Sequence, residues 1–347
     1  MPVAHAAGAV VAWGTGQTNT PSGLNNVVAI STSTDHSLAL KADGTVSAWG
    51  NDFDGQADVP SGLSGVTAVA AGAYFSLALK SDGTVVAWGD NQLGQCHVPP
   101  SLANVKAISA GRAHALALKN DGTVVAWGSN TYDQGDVPAA LNAVAILAEW
   151  DYSLALTSTG TVVAWGANDA GQTNVPAGLS GVVAIAGNID YCLALTSSGT
   201  VVGWGNYPAI PTDLTGAIGI AAGEDHALAL TSGGTVIAWG GDESGQIDVP
   251  TGLGNVSEIG AGWNYSVALM GNSAAAPLKL ASPSWNQGAF SVSLQTQSGK
   301  SYSLEYENSP ASTNWTALQS VSGTGGPVTL TDSSATGAQR FYRVRQQ

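Results

Sequence analysis

Seven tryptophans, Trp13, Trp49, Trp88, Trp127, Trp165, Trp204 and Trp239, recur every 35 to 39 residues along this 347-residue chain. A period of that length signals stacked or ringed supersecondary units, each too small to bury its apolar face without its neighbours. An aromatic or histidine (His36, Phe75, His114, Tyr152, Tyr191, His226) always stands thirteen residues before the next tryptophan. The stretches HSLALKADGTVSAWG (36–50), FSLALKSDGTVVAWG (75–89) and HALALKNDGTVVAWG (114–128) show the pattern. Each reads as two strands joined by a tight turn, where glycine takes a positive φ without steric cost. The strands are nearly continuous apolar runs, so both faces of each sheet must be covered. A VxAIAAG-type run precedes each hairpin and a GQxxVP segment follows it, which predicts about four short strands per repeat.

Such a unit, packed against like units on both sides, is a propeller blade. The array starts with a lone tryptophan strand (9–14) and finishes with a lone YSVALM strand (265–270), each half of a hairpin. Pairing the two completes a seventh blade and removes both exposed sheet edges. The expected fold is all-β: a seven-bladed β-propeller over 9–270, a linker of small residues over 271–277, and a small β-sandwich-like domain over 278–347. The last assignment rests on alternating segments such as FSVSLQTQ and RFYRVR, separated by Gly, Ser, Asn and Pro turns.

Charge narrows the function. Residues 1–272 hold 5 Lys+Arg against 21 Asp+Glu, whereas 273–347 hold 5 against 3. An acidic propeller repels phosphate backbones, so nucleic acid is not an expected partner. No run of eighteen apolar residues exists, so no membrane span is expected. Ala4-His5-Ala6 has the small-x-small form that ends a signal peptide, and an extracellular or periplasmic location is the expectation. The two cysteines, Cys96 and Cys192, occupy different repeat positions, and no disulfide between them is expected.

The repeat AWGxNxxGQxxVPxGLxxVxAIAAGxxHSLALKxDGTVVAWG resembles that of the regulator of chromosome condensation family in its shorter bacterial form. The likeness spans 9–270 and recurs seven times. Its Val-Pro and Val-x-Ala-Ile segments most resemble the propeller-type β-lactamase inhibitory proteins, which implies a secreted, non-enzymatic binder of a protein partner, a β-lactamase among the candidates. The net negative charge argues against the chromatin role of the eukaryotic relatives. A photoreceptor of the plant ultraviolet-B type is discounted, since clustered tryptophans there work with arginines and this propeller has only Arg112. The closing GAQRFYRVRQQ resembles small C-terminal modules of secreted proteins from environmental bacteria.

Strand direction places the loops before each aromatic and the loops after each tryptophan on one face. That face differs in every copy, whereas the Asp-Gly turn face is nearly the same seven times over. The candidate binding residues are therefore Asp35, Tyr74, Arg112, Trp150, Asp151, Asp190, Glu224, Asp225 and Trp263 from the inner loops, with Phe53 and Tyr132 from the outer ones. Tryptophan and tyrosine among acids, on loops over a rigid scaffold, is the composition of a recognition surface. The tryptophans occupy the first variable loop position and Tyr74 alone is aromatic at the second, so the inhibitors' contacts do not transfer. The alternative is a polysaccharide-binding or carbohydrate-cleaving propeller using Trp/Tyr stacking and Asp/Glu pairs. The repeat tryptophans and His36, His114 and His226 are read as core. Neither cofactor nor metal is expected: NDFDGQ lacks the spaced carboxylates of a calcium loop, and no phosphate loop or nucleophile elbow occurs.

Overall fold

The computed structural model describes residues 8–271, 280–286, 289–296, 301–307, 315–322, 327–334 and 340–346. The chain divides into two compact units, Met1–Asn272 and Ser273–Gln347. Ala4-His5-Ala6 and all but the first residue of the 271–277 linker lie outside the described residues.

Seven three-stranded antiparallel sheets make up the first unit. Blade 1 has an inner strand Val27–Thr32, a middle strand His36–Lys41 and an outer strand Val46–Gly50. Blades 2 to 6 repeat this order with middle strands Phe75–Lys80, His114–Lys119, Tyr152–Thr157, Tyr191–Thr196 and His226–Thr231. Blade 7 takes its inner and middle strands, Val256–Ala261 and Tyr265–Met270, from one end of the array and its outer strand, Val10–Gly14, from the other. The register runs from Val10 opposite Leu269 to Gly14 opposite Tyr265. The ring closes through Tyr265, whose hydroxyl donates to the carbonyls of Ser33 and His36 in blade 1, both at 3.0 Å.

Each blade has three strands rather than about four. The GQxxVP segment forms turns whose amides are met locally, as where Asp58 N donates to Gly55 O and Val59 N to Ala57 O. It serves as a clasp between blades. The Gln56 side chain accepts from Asp54 N at 3.0 Å, while its carbonyl accepts from Trp88 Nε1 at 3.0 Å and Ser76 Oγ at 2.8 Å in the next blade. Trp13, Trp49, Trp127, Trp165 and Trp204 donate in the same way to Gln246, Gln17, Gln95, Gln134 and Gln172. Trp239 Nε1 is buried without a partner because blade 5 is followed by NYPAIP, which has no GQ.

A second belt links the middle strands. The first residue of each reaches the second residue of the next blade's: His36 Nε2 lies 2.8 Å from Ser76 Oγ, His114 Nε2 3.0 Å from Ser153 Oγ, and His226 Nε2 2.9 Å from Ser266 Oγ. All three serines spend their own protons on the clasp carbonyls of Gln56, Gln134 and Gln246. They therefore accept from the histidines, which fixes the Nε2–H tautomer. Where the first residue is Phe75 the partner is Ala115, and where it is Tyr152 the partner is Cys192, 3.3 Å from the phenol oxygen. Each belt histidine has a serine for its Nε2 and the phenylalanine has none, which satisfies one of the two ring nitrogens, while Nδ1 of His114 and of His226 is buried without a hydrogen-bond partner. Burial pushes the three histidines down to about 4, so they are neutral core residues.

Leucine and alanine of the middle strands fill the space between blades, with Leu38, Leu77, Leu116, Leu154, Leu193 and Leu228 fully buried. Gly44, with φ of 77°, closes the Asp-Gly turn, and Asp43 accepts from Thr45 N and Oγ1. At that end of the blade the inner strand bulges, between Val27 and Ala29 in blade 1 and at the matching pairs elsewhere. The bulged residue is exposed and differs between copies: Val28, Thr67, Lys106, Val144, Val183, Ile218 and Ser257. The turn face is thus less uniform than its Asp-Gly motif.

Among the described residues, the second unit holds two three-stranded sheets. One pairs Ala289–Gln295 with Leu280–Asn286 and Pro327–Asp332, and the other pairs Ser301–Glu307 with Thr316–Ser322 and Phe341–Gln346. Val292, Leu294, Tyr302, Leu304 and Leu330 from both sheets form one core. Asp332, buried, pairs with Arg340 at 2.6 Å and accepts from Tyr342 Oη at 2.8 Å.

Candidate binding surface at the channel mouth

The inner strands of all seven blades surround a central cavity of about 230 Å³, and the loops that follow them form its mouth. Three of the candidate residues meet there. Arg112 N donates to Trp150 O at 3.0 Å, and its guanidinium sits 5.3 Å from the Trp150 ring and 3.5 Å from Asp151 Oδ2. Gln134 Nε2 also reaches Asp151, at 3.3 Å. Burial raises the Asp151 carboxyl above its usual range, and the Arg112 charge offsets this only in part. Trp150 is half-buried, held between the cation and the mouth.

Elsewhere on the ring, Trp263 N donates to Thr34 O at 3.3 Å, and Trp263, Thr34 and Asp35 line a hollow beside Gly16 and Gln17. Burial raises Asp35. On blades 5 and 6, Glu224 is raised first by burial and then by the charges of Asp225 and Asp190, which brings these three carboxyls into one electrostatic cluster. Asp225 accepts from Gln246 Nε2 at 3.1 Å and lies 3.8 Å from Nδ1 of the buried His226, too far for the hydrogen bond of a catalytic dyad. Tyr74 is half-buried on blade 2, where its carbonyl accepts from Asp90 N.

Phe53 and Tyr132 stand apart from the mouth, at the tips of the loops leaving blades 1 and 3, exposed by 94% and 48%. Between them, on blade 2, Leu93 is 56% exposed. Leu93 escaped the reading of the sequence because leucine is ordinarily core. Aligning the copies gives the signal, since Leu93 and Tyr132 both stand five residues after a blade tryptophan. Glu149 was also missed. It takes the place that glycine holds in four other blades (Gly72, Gly111, Gly223, Gly262), lines the cavity, and is raised well above the carboxylate range by burial. Cys96 and Cys192 are both free thiols. In NDFDGQ, Asp52 serves the loop itself, accepting from Ala57 N at 2.8 Å.

Five stretches, 27–56, 66–95, 105–134, 150–172 and 217–246, match the family model of the regulator of chromosome condensation (RCC1) repeat. The matched stretches fall in blades 1, 2, 3, 4 and 6. The two unmatched blades are the one followed by NYPAIP and the one assembled from both ends of the array. No curated protein matches the chain in sequence. Among solved structures, Prp20p from Saccharomyces cerevisiae is similar at 20% identity and a TM-score of 0.62, with 77% of this chain and 92% of that one covered. Human WBSCR16 has 17% identity and a TM-score of 0.62, covering 75% and 99%. The CRINKLY ectodomain of the Arabidopsis thaliana receptor kinase ACR4 has 18% identity and a TM-score of 0.58, covering 72% and 94%. At these identities the likeness establishes the RCC1-type propeller fold.

Proposed function

We propose that the chain is a secreted, non-enzymatic binding protein that docks a protein partner on the mouth face of its propeller, in the manner of the propeller-type β-lactamase inhibitory proteins. The observation that carries this reading is the Arg112–Trp150–Asp151 cluster. Its aromatic is held by its neighbours at the rim of a central cavity, on the face where the seven copies diverge. A pre-positioned tryptophan flanked by charge is the composition of an interface hot spot, and holding it in place lowers the ordering cost of association. The acid excess of the face suits a partner with a basic contact surface. Similar propellers are described for protein partners: Prp20p for binding Gsp1p and histones, and yeast RCC1 for a complex with Kap60.

A specific observation favours a second reading, carbohydrate recognition or cleavage. Glu224 is raised by burial beside Asp190 and Asp225, and a pair of carboxyls is what glycoside hydrolysis uses. Against it, Trp150 and Trp263 are half-buried, and the Arg112 guanidinium already sits against the Trp150 ring. One experiment separates the two. Wild type, Trp150→Ala/Trp263→Ala and Glu224→Gln are titrated against class A β-lactamases and against an oligosaccharide panel. Protein docking predicts binding to a β-lactamase, lost at least 100-fold in the tryptophan variant and retained with Glu224→Gln. Binding or turnover of a glycan that depends on Glu224 would replace it with the second reading.

A further inference from the structure

Glu149 has been given a cradle without a counter-charge. Its side chain runs toward blade 5, where the inner strand ends in Gly187; a Cβ there would crowd both the Tyr152 hydroxyl and Glu149 Cγ. Blades 2, 3, 4, 6 and 7 carry alanine at that position (Ala71, Ala110, Ala148, Ala222, Ala261). The ring therefore gives up a side chain where the Tyr152 hydroxyl and the Glu149 stem both come close. Among the described residues Glu149 has neither an ion-pair nor a side-chain hydrogen-bond partner. The ionisable groups that feel its charge are Tyr152, Tyr191 and Cys192, all neutral acids held high by burial. The nearby cation, Arg112, is engaged with Asp151 and Trp150.

The rest of the cavity is compatible with one class of guest. Leu147 and Ile185 supply apolar wall beside Glu149, and the mouth above opens between Arg112 and Trp150 on the proposed docking face. Five basic residues against 21 acids over 1–272 concentrate cations there. A buried carboxylate recovers its desolvation cost only from a paired, hydrogen-bonding cation. We propose that the central cavity is a socket for an alkylammonium group, a lysine side chain of the docking partner, with its methylenes on Leu147 and Ile185 and its ammonium on Glu149. The inference rests on the docking reading and names the chemistry that the partner brings.

The test needs no partner. Isothermal titration of the full chain with Nα-acetyl-lysine methylamide is compared with the same probe acetylated at Nε, which keeps the stem and removes the charge. The socket predicts a Kd on the order of 1 mM for the charged probe, at least tenfold weaker binding of the acetylated one, and at least tenfold loss in Glu149→Gln. Gly187→Ala, which crowds the cradle and leaves the carboxyl in place, gives the same loss should Glu149→Gln fail to fold. Equal affinity for the two probes, no binding of either, or undiminished binding in a folded variant would each overturn the socket. Docking itself is judged separately by the tryptophan variant, so a failed socket leaves that reading standing.

Discussion

The belts between blades and the mouth of the channel are built from the same repeat, yet they follow opposite rules. In the belt of middle strands, departures from the pattern are matched in the next blade: His36 with Ser76, His114 with Ser153, His226 with Ser266, Phe75 with Ala115. At the mouth, Arg112 is matched with Asp151, but other departures are not. Glu149 has no cation and Trp263 no ring partner among the described residues, while Asp190, Glu224 and Asp225 crowd like charges together. Compensated variation serves stability, and uncompensated variation is left for something outside the chain to satisfy.

The largest effect should come from cutting a clasp. Trp88→Ala removes a buried ring and its bond to Gln56, and is expected to cost about 3–5 kcal/mol in chemical denaturation. Next is the belt. Ser76→Ala leaves His36 Nε2 buried and unpaired, a loss of about 1–3 kcal/mol. Adding His36→Phe recreates the Phe75–Ala115 junction and should recover most of it; no recovery in the double variant would show that the pairing is incidental. Trp239 supplies the control from nature: its Nε1 already lacks a partner, so restoring GQ after blade 5 is expected to raise the melting temperature.

pH sharpens the same contrast. The belt histidines titrate at about 4 when folded and near 6.5 when unfolded, so the unfolded chain binds protons that the folded chain refuses. Their contribution is complete above pH 6.5 and is lost as the pH falls toward 4. Glu258 works in the other direction. It replaces the small residue of the other inner strands, accepts from Ile30 N at 3.2 Å, and is pushed up to about 7 by burial. Its contribution is present below the ordinary carboxylate range and is lost as the pH rises through 7. Unfolding measured from pH 4 to 9 should show stability rising from pH 4 to a plateau near neutrality, and Glu258→Gln should steepen that rise, because it removes the opposing loss that Glu258 suffers between the ordinary carboxylate range and about 7. The smallest effect is expected at Phe53, where Ala should change stability by less than about 0.5 kcal/mol.

Much of the belt was legible in the sequence. The seven-fold recurrence, the half-hairpins at the two ends and the Asp-Gly turns fix the propeller and its closure, because each encodes a local geometry. The number of strands was not legible. GQxxVP has the apolar-polar look of a strand, and only the ring shows that its carbonyl is claimed by the next blade's tryptophan. Residue spacing also concealed that Phe53 and Tyr132 lie on a rim apart from Trp150, since that follows from how neighbouring blades are placed. Glu149 was visible as a break in the glycine column, but its meaning depends on Gly187, which the chain places in the next blade.

The division between belt and mouth is tested most directly by unfolding Trp150→Ala beside Trp88→Ala, followed by far-ultraviolet circular dichroism. Trp88 is a buried clasp, whereas Trp150 is held at the rim by Arg112, an exposed cation–π contact worth about 0.5–1 kcal/mol. The account predicts that Trp150→Ala costs about 1 kcal/mol, well short of the loss at Trp88. Equal losses at the two positions would place Trp150 in the scaffold and contradict it.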